Sequence, residues 1–208
     1  MSDDTLYSVD QQGGSAGPKR FWDPKFNHYA VKVAPGSHYV TKKSDEMIVT
    51  TLGSCVAACI RDSVLGIGGI NHFMLPESDS GNWGGVSASM RYGNYAMEVL
   101  INDILRMGGA RNRLEIKVFG GANVIASSSL IGTKNVEFVE TYLRIEHMAI
   151  SAHHLGGDQA RRIIYFPSTG KVKMKLLDKT DNATVVAEEE SFKSKIETAE
   201  IAGSIELF

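Results

Sequence analysis

The sequence predicts an α+β domain, and three observations carry the prediction. Short β-prone runs recur through the chain, two longer stretches show helical apolar spacing, and a hairpin pattern occupies its centre. The chain has 208 residues, 43% of them hydrophobic and 22% charged, with a net charge of −2. That length suits one domain with a full-sized core plus tails. The near-neutral charge gives no reason to expect nucleic acid or an anionic membrane as a partner. No apolar run nears the ~18 residues of a membrane span and no signal-peptide core is present, so a cytoplasmic protein is expected, without membrane insertion.

Residues 1–28 read as a flexible N-terminal tail, because Gln11 to Pro18 offers almost nothing to bury. Tyr29–Ala34 begins the folded domain, 29–178, as a strand. Pro35-Gly36-Ser37 is a turn, and Met47–Leu52 a second strand. The central hairpin follows: Val56–Ile60, a polar link ending at Gly66, then Ile67–Leu75. A polar loop, Glu77 to Gly85, comes next. Helical spacing then runs from Ser87, the expected cap, to Met107, with Met90, Met97, Leu100, Ile101, Ile104 and Leu105 inward.

Leu114–Phe119 alternates as a strand and runs into Gly120-Gly121-Ala122, where backbone must pass close to something. A second helix is expected over Val136–Glu146 with Asn135 as its cap. Met148–Ala152 reads as a short strand followed by loop residues His153 and His154. Ile163–Phe166 and Val172–Leu177 form a late hairpin. From 179 to 208 the charge rises and the apolar pattern fades, with Glu188-Glu189-Glu190 in a charged C-terminal tail. No internal repeat, P-loop, dinucleotide fingerprint or GxSxG elbow is present.

Two cysteines occur, Cys55 and Cys59, with too few partners for a zinc site. On one strand they face the same way but stand too far apart to bridge. A regular hairpin centred between Ser63 and Val64 sets Cys55 directly opposite His72, their Cβ atoms roughly 4.5–5.5 Å apart. It also pairs Ala57 with Ile70 and Cys59 with Gly68. A free cysteine often only fills space, and a lone histidine is more often structural than catalytic. Together, a thiol beside an imidazole is the arrangement of a nucleophile and its base. Gly53-Ser54 permits an unusual backbone path that could aim amides at an oxyanion. Thr50 and Thr51 are ordinary β-formers unless one hydroxyl orients His72. His153 and His154 point to opposite faces of any strand and make a poor metal pair.

Leu52-Gly53-Ser54-Cys55-Val56, followed by Gly68-Gly69-Ile70-Asn71-His72-Phe73-Met74-Leu75-Pro76, resembles the CheD family, the chemoreceptor glutamine deamidases of bacterial chemotaxis. The resemblance continues through Lys117 to Ala122, Ile131-Gly132 with Asn135, and Gly156-Gly157 with Arg161 or Arg162. It covers roughly residues 29 to 178. It implies mixed β-sheets packed together with flanking helices, similar to the cytotoxic necrotising toxin-like cysteine hydrolases. It also implies hydrolysis of selected glutamine side chains on methyl-accepting chemoreceptors through a Cys/His thioester, without cofactor or metal. The family's cysteine and histidine carry over onto Cys55 and His72. Its threonine falls by spacing at Val49, so the neighbouring Thr50 is taken as the third catalytic residue, with Thr51 the alternative. Implied partners are the cytoplasmic domains of chemoreceptors and a CheC-type phosphatase; a role chiefly as regulator of such a phosphatase is the rival reading.

Overall fold

The structure is a computed structural model that describes residues 5–8, 18–76, 88–124, 130–178 and 182–198. Two β-sheets pack face to face and helices cover one of them. The first sheet has six strands in the order β1 (Thr5–Ser8), β4 (His38–Thr41), β7 (Gly68–Asn71), β6 (Val56–Asp62), β8 (Leu114–Gly120) and β9 (Ile150–Leu155). The second runs β11 (Lys171–Leu176), β10 (Arg161–Phe166), β5 (Glu46–Leu52), β3 (His28–Lys32) and β2 (Arg20–Asp23). Both are mixed: β8 pairs with β9 and β3 with β5 in parallel, and the other pairings are antiparallel.

Alternation along the strands builds the layers. Val56, Ala58 and Ile60 face the helices α1 (Ala88–Arg106) and α2 (Ile131–Ile145), against Met97, Leu100, Ile101, Ile104, Val139 and Leu143. Burying each of these large side chains stabilises by about 1.5–3 kcal/mol. Cys55, Ala57 and Cys59 face the second sheet, against Ile48, Leu52, Ile163 and Tyr165. Met90, expected inward on α1, is exposed. The polar loop after Pro76 and the Ser87 cap lie outside the described residues.

The chain passes from sheet to sheet between β3 and β4, β4 and β5, and again between β5 and β6. Strands β2 and β4 were not legible in the sequence. β2 lies within the expected tail, paired with β3 and with Arg20 stacked 3.8 Å from the Tyr29 ring centroid. The other expected tail also carries structure, since Asn182–Thr198 forms a helix, α3. His153 and His154 belong to β9 rather than to a loop. Asn135 lies within α2, not at its cap, which is Leu130.

The central hairpin is real, but its register differs from the regular one. β6 pairs with β7 through Cys59–Ile70, Ile60–Gly69 and Arg61–Gly68, with an isolated bridge Val56–Phe73 beyond. The midpoint therefore falls between Val64 and Leu65. Asp62 decides this. Its Oδ1 accepts the Val64 and Leu65 amides, both at 2.9 Å, and its own N–H donates to Ile67 O at 2.8 Å. Gly66 leaves the turn with φ +68, a conformation that suits glycine. Oδ2 accepts the Ala110 amide and meets Arg113.

Asp62→Ala should cost on the order of 3 kcal/mol, since it takes the acceptor from three part-buried backbone amides at about 1 kcal/mol each. At 2–4 °C per kcal/mol, the melting temperature should fall by roughly 6–12 °C. Arg113 and then the turn amides hold the Asp62 carboxyl well below the usual carboxylate range. That contribution is complete above the unfolded value near ~3.9 and is lost as pH falls towards the folded one. The gap between wild type and variant should therefore narrow only in acid, which calorimetry at pH 7 and pH 3 checks.

Candidate active site

The site lies where β5 of one sheet hands the chain to β6 of the other, across Gly53-Ser54-Cys55. The three carbonyls of this crossing are each tied down. Gly53 O accepts Ala122 N–H at 2.8 Å, Cys55 O accepts Gly121 N–H at 2.8 Å, and Ser54 O accepts Asn135 Nδ2 at 2.8 Å. Asn135 also receives the Leu75 amide on Oδ1 at 2.8 Å, so one buried amide locks the crossing to the chain beyond His72. Gly120 has φ +115, and a Cβ there would stand 2.1 Å from Cys55 O. The backbone does pass close to something at Gly120-Gly121, and that something is the cysteine.

With their carbonyls held, the amides of Gly53, Ser54 and Cys55 converge on a single acceptor, the carboxylate of Glu189 from α3. Gly53 N and Cys55 N donate to Oε1 at 2.8 and 3.0 Å; Ser54 N and Ser54 Oγ donate to Oε2 at 2.8 and 2.7 Å. Glycine is required at 53 for space rather than conformation. A Cβ there would lie 2.8 Å from Glu189 Oε2 and 2.9 Å from Val124 Cγ2.

His72 follows the last residue of β7. Its amide donates to Ser37 O at 2.9 Å and its carbonyl accepts Gly36 N–H at 2.7 Å. The register places it diagonal to Cys55, not opposite, and the ladder is open at this point: Asn71 Oδ1 takes the Ala58 amide instead. The shift is by an even number of residues, so both side chains keep the same face. Cys55 Sγ, a ring nitrogen of His72 and a carboxylate oxygen of Glu189 lie within 4.8 Å of one another. These three groups have the donor spacing of a cation site. However, both carboxylate oxygens already accept two hydrogen bonds each, which occupies about the four lone-pair positions a carboxylate offers.

Thr50 closes the arrangement from the opposite sheet. On β5 it shares the inward face of Ile48 and Leu52, towards His72, whereas Thr51 points the other way. Its hydroxyl donates to Val33 O at 2.9 Å and also meets His72 Nδ1 at 2.8 Å. A hydroxyl has one proton, and a carbonyl can only accept. The Thr50 proton is thereby committed, so Nδ1 must carry its own proton and donate it. In the neutral ring, Nε2 is then the lone-pair nitrogen, and it is buried with no hydrogen-bond partner among the described residues.

Burial chiefly, opposed by the Glu189 charge, lowers the His72 pKa to about 4. Burial first, then the charge and hydrogen bond of Glu189, raises the Cys55 thiol well above its ordinary value. Cys59, on the same face, is also buried and pushed up by burial; it stands opposite Ile70, not Gly68. His154 is not part of the site. It accepts from Arg161, which is buried under the turn at Gly156; Arg162 is exposed. Asn135 and Glu189 are the residues sequence reasoning misplaced. The signal for Glu189 was the spacing of Val185, Phe192 and Ile196, an apolar stripe that a single glutamate interrupts.

The chain matches the family model described as CheD chemotactic sensory transduction over residues 74–176. It is 57% identical over 190 residues to a probable chemoreceptor glutamine deamidase CheD of Rhodopseudomonas palustris, covering 91% of this chain and 89% of that one. The chain belongs to the CheD family. Similar proteins with the same description occur in Halorhodospira halophila, at 47% identity, and Hahella chejuensis, at 46%. Their alignments cover 91% of this chain and 89% and 90% of theirs. The two-sheet α+β architecture expected from the resemblance is present, and among the described residues no helix is long and apolar enough to cross a membrane.

The tautomer is directly measurable. Ring ¹⁵N shifts of His72 should report Nδ1–H and a bare Nε2, unchanged between pH 8 and pH 5.5, because burial holds protonation down to about 4. A ring that titrates near the ordinary ~6.5 would contradict the assignment.

Proposed function

We propose that this chain is a protein-glutamine deamidase of chemoreceptors, using Cys55 as nucleophile, His72 as base and Thr50 as the group that orients it. The observation that carries this is the convergence of three consecutive amides on one acid side chain beside a buried thiol and a lone-pair imidazole nitrogen. This chemistry serves acyl transfer from a carboxamide.

Cys55 Sγ attacks the side-chain carbonyl carbon of a glutamine while His72 Nε2 takes the thiol proton. The Gly53 and Cys55 amides hold the developing oxyanion. When the C–N bond breaks, His72 returns the proton to the departing nitrogen and ammonia leaves, giving a thioester. Water, deprotonated by His72, then attacks that thioester. The C–S bond breaks, the thiol is restored, and glutamine plus water has become glutamate plus ammonia. No metal or cofactor enters the balance. Relatives named for chemoreceptor glutamine support that substrate, and a reaction on receptor cytoplasmic domains is a cytoplasmic one.

The test is incubation with a purified cytoplasmic fragment of a chemoreceptor, followed by peptide mass spectrometry. Each converted glutamine gains about one dalton. Cys55→Ala should abolish conversion. Thr50→Val should lower kcat roughly 10- to 100-fold, as part of the 10²–10⁴ that a positioned base supplies, and Thr50→Ser should recover most of it. Full activity in Cys55→Ala would remove the proposal.

A further inference from the structure

Helix α3 belongs to the segment that reads as a tail, yet it puts an acid into the catalytic pocket. Glu189 is 2% exposed and takes four hydrogen bonds there, while its neighbours Glu188 and Glu190 face solvent. Around it on the same helical face, Val185 stands four residues before, and Phe192 and Ile196 three and seven after. Val185 is buried, and the other two pack on the core between the sheets. Gly36 makes room for Phe192, whose ring carbons would lie 2.5 and 2.6 Å from a Cβ there. Lys32 Nζ meets Glu188 at 3.4 Å on the rim.

A glutamate carboxylate in the oxyanion hole of a glutamine deamidase is the product of the reaction, still in place. We propose that α3 is a tethered product: it docks as a deamidated substrate docks, so the site takes a glutamine presented from an amphipathic helix, and α3 must leave before that substrate can enter. This rests on the deamidase reading above. The substrate class follows from the contacts of α3. It is a helix with glutamine at the position of Glu189 and apolar residues four before and three and seven after.

The donor pattern favours product over substrate. A glutamine here would keep its oxygen on the Gly53 and Cys55 amides and put its NH₂ opposite Ser54. The Ser54 hydroxyl can turn to accept, but the Ser54 N–H loses its partner. Glutamate is therefore the better held of the two. Its charge also disfavours the thiolate, so a docked α3 both fills the pocket and keeps the nucleophile protonated. α3 begins six residues after β11 ends, so the competitor is always at high effective concentration.

The decisive variant is Glu189→Gln in the full chain. Cys55 should convert the introduced glutamine back to glutamate, a gain of about one dalton, at a rate independent of protein concentration. The double variant Cys55→Ala/Glu189→Gln should keep its glutamine. Glu189→Ala should lower the KM for the receptor fragment severalfold, about tenfold if α3 is docked nine-tenths of the time. It should also open Cys55, but not Cys59, to iodoacetamide. If the introduced glutamine persists while the same variant deamidates the receptor fragment, α3 does not dock as a product, and the inference fails with the deamidase reading intact. If neither the fragment nor the introduced glutamine is converted by any variant, the deamidase reading fails and takes this one with it.

Discussion

The crossing of the chain from one sheet to the other at Gly53-Ser54-Cys55 is the constraint on which the site depends. A backbone that leaves one ladder and joins another has three residues with no strand partner, and buried amides and carbonyls without partners are costly. Here the carbonyls are satisfied on one side by Gly121, Ala122 and Asn135. The amides are thus left facing the other way, towards the thiol. The array of donors proposed as the oxyanion hole is what remains after the carbonyls of a buried crossing have been paired.

The same economy governs the imidazole. Val33 O, on the connection that carries β3 to the other sheet, claims the proton of Thr50, and Thr50 in turn claims that of His72. The relay ends at a bare Nε2. Thr50 belongs to one sheet, His72 to the end of a strand in the other, and Cys55 to the passage between them. The three meet only because the sheets are stacked, and the inter-sheet core of Ile48, Leu52, Ile70 and Ile163 fixes their spacing. A cavity in that core would be felt at the site, since close-packed interiors transmit displacement.

Much of this was legible in the sequence. β-prone runs bounded by turn residues located β5, β6, β8, β10 and β11 within a residue or two. α1 was equally clear from its spacing. The short strand β4 was not, since His38–Thr41 is buried on both faces and does not alternate. The hairpin register departs from the regular one because the turn is not centred on the polar link. The actual turn is set by the side chain of Asp62, a hydrogen-bonding choice that the polar pattern does not reveal. Asn135 resembled a cap because asparagine favours caps. Inside a helix it looks misplaced until the Ser54 carbonyl and Leu75 amide are seen across the fold. α3 was hidden for a similar reason: the residue in the middle of its inner face is charged, and a charged residue breaks the stripe by which a docked helix is recognised.

That interruption also explains how α3 can be firmly placed yet able to leave. On its inner face Val185 is buried, Phe192 and Ile196 are only partly covered, and the Glu189 carboxylate is buried between them. With two of those three apolar side chains only partly covered, the helix can open locally without the core unfolding. The carboxylate supplies specificity, because four donors in a fixed array accept an acid side chain of one length at one position. A glutamine on a passing helix can meet the same donors, and once its nitrogen has gone it becomes the species they hold best. The hole that stabilises the reaction's anion therefore also retains its product. An enzyme built this way needs a competitor no better than its own product, and its own C-terminal helix supplies one.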